Sequence, residues 1–136
     1  VVHVDYAEVS SNLAGCKLRV HVKCGEPGRS MKEVTPETRS TEAEGEAPAT
    51  ASFACTCAFP CDVGRPVALR LRLAKAGLVD RVCAKADLDV VPGGEPAAHD
   101  VCMLGGWGGR ELVGQLRVVT QLRSMTLGEL RTGAST

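Results

Sequence analysis

Val67-Ala68-Leu69-Arg70-Leu71-Arg72-Leu73 decides the fold class. Val67, Leu69, Leu71 and Leu73 fall on one side of an extended chain, with Arg70 and Arg72 on the other. A period of two is the signature of a half-buried strand, whereas a helix would repeat its apolar positions at 3.6. The same alternation runs through residues 16–24, CKLRVHVKC, where Leu18, Val20, Val22 and Cys24 oppose Lys17, Arg19, His21 and Lys23. It returns over 81–91, where Val82, Ala84, Ala86, Leu88 and Val90 oppose Arg81, Lys85, Asp87 and Asp89.

Further strands are read outward from these three. Residues 51–58 alternate around Phe53, Cys55 and Cys57, 99–104 form a short strand, and 114–123 form the last one. Residues 30–41 hold two short strands broken at Pro36. Between them lie Gly- and Pro-rich turns at 25–28, 59–66, 92–97 and 105–110, and a loop at 42–50 that carries three Glu. Residues 1–15 are weakly patterned. The expected organisation is an N-terminal extension over 1–13, a body over 14–123 and a tail over 124–136. Seven or eight short strands without a convincing helix predict an all-β fold, an eight-stranded antiparallel β-sandwich.

Composition narrows the function. The chain has 136 residues, enough for one domain and too few for two well-buried ones. It is 44% hydrophobic but only 3% aromatic, so the core must come from Val, Leu, Ala and Cys. Net charge is zero, which argues against a dedicated nucleic-acid binder. No apolar run approaches a membrane span. The chain begins at Val1 without an initiator Met and reads as a fragment of a larger protein. Seven cysteines are an odd set for disulfides, and several occupy apolar strand positions, as reduced thiols do. The expected setting is therefore cytoplasmic, at a membrane or the cytoskeleton.

The order of these segments resembles a C2 domain across about residues 14–123. GCKLRVHVKCG is similar to that family's opening strand. VALRLRL followed by AKAGLVDRVCAKADLDV is similar to its fifth strand, third calcium loop and sixth strand. VCMLGGWGGRELVGQLRVVTQL is similar to its closing strands. C2 domains that bind calcium gather several Asp in the first and third loops, because the ion takes six to eight oxygen ligands. Here the first loop has Glu26 beside Arg29, and the third has Asp80 with Lys75 nearby. The resemblance therefore implies a calcium-independent member, with Glu26 and Asp80 as vestigial loop acids and no bound metal or other cofactor.

Three constellations remain. Lys17, Arg19, His21 and Lys23 share one strand face, Arg70 and Arg72 another, and Lys85 lies outward on a third. The C2 arrangement would merge these into one basic surface, a dock for an anionic phospholipid membrane or for an acidic protein partner; the bland reading is an ordinary solvated face. Trp107, in the glycine loop 105–110, is the only Trp and could anchor at an interface or cover one end of the fold. Cys55-x-Cys57-x3-Cys61 lacks zinc-finger spacing, and its first two thiols would sit about 7 Å apart on a straight strand. They read as core or strand cysteines, with a metal site or a disulfide at Cys61 as alternatives. His99 and Asp100 are neighbours that alternate to opposite faces, so no catalytic dyad is expected and the chain reads as a non-enzyme. The leading expectation is calcium-independent lipid docking. The alternatives are a cytoskeletal or ciliary scaffolding module and, more weakly, a secreted disulfide-bonded adhesin.

Overall fold

The structure, a computed structural model, describes residues 2–25, 31–42, 48–59, 66–91, 96–106 and 109–120. They form one antiparallel sheet of β1 (Val2–Val9), β2 (Lys17–Cys24), β3 (Met31–Val34), β4 (Thr38–Arg39), β5 (Ala49–Cys57), β6 (Val67–Lys75), β7 (Arg81–Val90), β8 (Ala97–Gly105) and β9 (Glu111–Thr120). Hydrogen bonding runs in the order β3-β2-β6-β7-β8-β9-β1-β5, with the two-residue β4 on β2. The eight-strand path nearly closes on itself. Beyond β4, Thr41 N–H donates to Thr50 O at 2.8 Å, and Thr50 N–H donates to Thr41 Oγ1 at 3.0 Å. These bonds tie the β5 end of the path back towards β2, so the molecule is a nearly closed barrel rather than the clear sandwich expected from sequence.

Alternation builds the interior. Leu18, Val20 and Val22 of β2, Leu69, Leu71 and Leu73 of β6, and Leu116 and Val118 of β9 are all essentially inaccessible to water. Burying such a side chain contributes about 1.5–3 kcal/mol. The partners across each pair carry the intervening polar side chains outward: His21 faces Arg72, and Lys23 faces Arg70.

Residues 2–9 correct the sequence reading, which left this segment weakly patterned and outside the body. They form β1, which pairs with both β5 and β9 and buries Val2, Val4, Ala7 and Val9. The register slips between Val4 and Ala7, so the inward set changes from even to odd positions. On the β5 side the slip is a bulge that places Ala54 at φ 44°, a left-handed conformation rare for a residue with a Cβ.

The two halves of the path meet weakly. β7 and β8 are joined by only two residue pairs, Ala84↔Gly105 and Lys85↔Leu104. Beyond them the strands splay toward their connection. A second bulge, at Cys83, lies just before this junction, where Leu73 faces Ala84 but Ala74 faces Val82.

Candidate anion-docking face

The outer surface of β3, β2, β6 and β7 carries most of the cations expected from sequence, but the structure sorts them into two groups. The first group is neutralised. Arg19 Nη1 lies 2.7 Å from Asp80 Oδ1, and His21 Nε2 lies 2.8 Å from Asp80 Oδ2. Glu37 stands 3.6 Å from both Lys17 Nζ and Arg19 Nη2. Arg72 Nη1 lies 3.0 Å from Asp87 Oδ1. Four of the residues read as a free basic surface are thus committed to acids of the same molecule.

The second group has no ion pair among the described residues. Lys23 faces Arg70 directly across β2 and β6, and Lys32 of β3 faces Lys23 on the other side. The three form one cross-strand row with neighbouring strands about 4.8 Å apart. Directly opposed like charges destabilise a sheet unless an anion meets them. Asp87 is next in register beside Arg70, yet its carboxylate turns to Arg72. Lys85 is also without an ion pair among the described residues and stands apart from the row, opposite Arg72. Sequence reasoning missed Lys32, because four residues with an exposed burial pattern carry no alternation to fix their face. Trp107 and Glu26 lie outside the described residues.

Asp80 explains how the β6–β7 loop is held. Its side chain is only 14% exposed, and besides Arg19 and His21 it accepts the Gly77 N–H at 3.4 Å. The His21 hydrogen bond above all holds its carboxyl below the usual range; Gly77 and Arg19 add to this, and partial burial opposes it. A depressed folded-state pKa stabilises the fold above the unfolded carboxyl value of about 3.9 and loses that contribution as pH falls through the folded value. Asp100, held low by Arg117, behaves alike. Melting temperature should therefore fall as pH drops below about 4, and Asp80→Asn should lessen that fall. An unchanged slope in the variant would show that the contact does not hold in solution.

At the tip of the same loop Leu78 and Val79 are fully or nearly fully exposed. Among the described residues no three His, Cys, Asp or Glu side chains converge as a metal group, and no helix is long and apolar enough to cross a membrane.

No known family model matches the chain, and no curated protein matches it.

The remaining motifs resolve into local contacts. Val4 faces Cys55 and Val2 faces Cys57, so both thiols turn to the inner side of β5. Burial, helped by the neighbouring Cys55 thiol, pushes the Cys57 thiol up to about 12. Cys16, Cys55, Cys57, Cys83 and Cys102 are free thiols; Cys61 lies outside the described residues. Asp100 takes a two-pronged contact from Arg117 at 2.9 and 3.2 Å, while His99 Nε2 lies 3.3 Å from Thr120 Oγ1. His99 and Asp100 are thus directed to different partners.

Proposed function

We propose that this chain is a non-catalytic, calcium-independent C2-like module that docks an anionic membrane surface. The observation that carries the reading is the row Lys32–Lys23–Arg70, three neighbouring cations without a counter-ion among the described residues. Two features support the C2-like part. The strand path divides at the two-pair β7–β8 junction into β3-β2-β6-β7 and β8-β9-β1-β5, four strands each. The one described acid at a calcium-ligand position, Asp80, is already engaged by His21 and by Arg19, whose positive charge opposes a divalent ion there. The cytoplasmic leaflet is the anionic surface this chemistry fits.

Each cation near an anionic leaflet contributes about 1 kcal/mol. Reversing Lys23, Lys32 and Arg70 to Glu should weaken binding to phosphatidylserine-containing vesicles at least about 100-fold in a sedimentation assay. Adding calcium should not change the wild-type result, and neutral vesicles should not bind. Equal binding by the reversed variant would refute the reading.

The exposed Leu78–Val79 pair favours a second reading, a scaffolding module of cytoskeletal or ciliary type that holds a protein partner. Absence of vesicle binding, together with a stable complex lost on Leu78→Ser/Val79→Ser, would select it.

A further inference from the structure

A cleft of about 520 Å³ lies at the loop end of the barrel, beside the β7–β8 junction and apart from the strand-face row. We infer that this cleft is a second anion site, one that takes a small, multiply charged phosphate ester.

Its cations carry the argument. Lys75, Arg81 and Lys85 all line it, and none of them has an ion pair among the described residues. Lys75 and Arg81 are directly opposed across β6 and β7, the like-charge arrangement that a sheet tolerates best when an outside anion bridges it. Against three cations the lining has, among the described residues, a single acid, Glu111. Its side chain is folded over Gly106, and it makes no salt bridge to them.

Neutral donors complete the wall. Ser10 donates its hydroxyl to Asn12 Oδ1, which leaves the Asn12 NH2 group as an unused donor among the described residues. Gly106 and Gly109 sit at φ 72° and 67°, and at these two positions the backbone borders the cleft without a Cβ.

Charge density selects the ligand class. One carboxylate cannot satisfy three converging cations, whereas a phosphate ester brings two negative charges per group and oxygens that match the guanidinium fork. The volume is ample for a phosphorylated polyol or pyrophosphate and too small for a folded partner. The same chemistry is available from a free metabolite or from a phosphomonoester lipid headgroup.

Titration calorimetry of the whole chain with pyrophosphate and with inositol hexakisphosphate tests the inference. Saturable one-to-one binding is expected, with a rise in melting temperature at saturation. Lys75→Ala/Arg81→Ala should weaken it at least tenfold. That variant should melt no lower than the parent, since it removes an opposed like-charge pair, so lost binding will not reflect unfolding. Lys23→Glu/Lys32→Glu/Arg70→Glu should leave pyrophosphate binding unchanged, which separates this site from the strand-face row. In a competition arm, displacement of bound hexakisphosphate by phosphatidic acid vesicles identifies a lipid source, and persistence in their presence identifies a free one; either outcome requires the cleft to bind. No saturable heat with either probe, or binding that survives Lys75→Ala/Arg81→Ala, overturns it.

Discussion

Leu71→Ala is expected to destabilise the fold by about 2–5 kcal/mol, the range for truncating a fully buried leucine. Leu71 is inaccessible to water and lies mid-strand in β6 between Val22 and Ala86, whose side chains are also buried. Removing the isobutyl group leaves a cavity that flanking strands, hydrogen-bonded on both sides, cannot close. Domains of this size retain only about 5–15 kcal/mol in total, so the variant should melt far below the parent or lose its cooperative transition. In urea the midpoint should fall with little change of slope. Leu78→Ala is the control, because Leu78 is fully exposed. If the two substitutions had equal effects, the inward face assigned to β6 would be wrong.

Gly105→Ala is expected to open the β7–β8 junction. A Cβ at Gly105 would stand 2.0 Å from Cys83 O, 3.1 Å from Cys83 C and 3.0 Å from Val113 Cγ2. Two of these are backbone atoms, and rotamer changes cannot relieve them. The bulge at Cys83 brings that carbonyl close, and Gly105 is where the opposite strand accepts it. Overpacking of this kind costs about 1–3 kcal/mol and occasionally more. Only two residue pairs hold the halves together here, so the damage should be local first. Amide exchange at Ala84 and Lys85 should accelerate more than at Leu71 or Val22. Gly109→Ala is a milder comparison: it meets no atom within 4 Å and costs only its positive φ, about 1–2 kcal/mol. Unchanged exchange at Ala84 and Lys85 in Gly105→Ala would refute the close approach.

Both expectations show where sequence reading succeeds and where it stops. The alternation in Lys17–Cys24, Val67–Leu73 and Ala84–Val90 was legible because each stretch keeps one phase for at least seven residues, and there the inner and outer faces are the expected ones. Val82, expected inward, is exposed because the bulge at Cys83 shifts the phase of β7. Residues 2–9 were illegible for the converse reason. Their apolar positions are two, four, seven and nine, and the slip at the β1 bulge erases a period-two signal over so short a span. Lys32 was missed because β3 takes its face from its pairing with Lys23 and not from any pattern of its own.

The candidate site divides in the same way. Sequence placed Lys17, Arg19, His21, Lys23, Arg70, Arg72 and Lys85 on outward positions, since alternation with buried neighbours leaves them no other side. It could not say which would stay without a counter-ion. That depends on Glu37, Asp80 and Asp87 reaching them from other segments, and Asp80 approaches His21 across 59 positions of chain. By itself, then, the sequence determined an all-β chain of about eight strands with basic side chains at outward positions of several of them, because side-chain periodicity is local. Tertiary structure alone decided the near-closure into a barrel, the neutralisation of half the basic face and the convergence of Lys75, Arg81 and Lys85 on one cleft. Strand order, bulge position and ion pairing are relations between distant residues, and no local pattern encodes them.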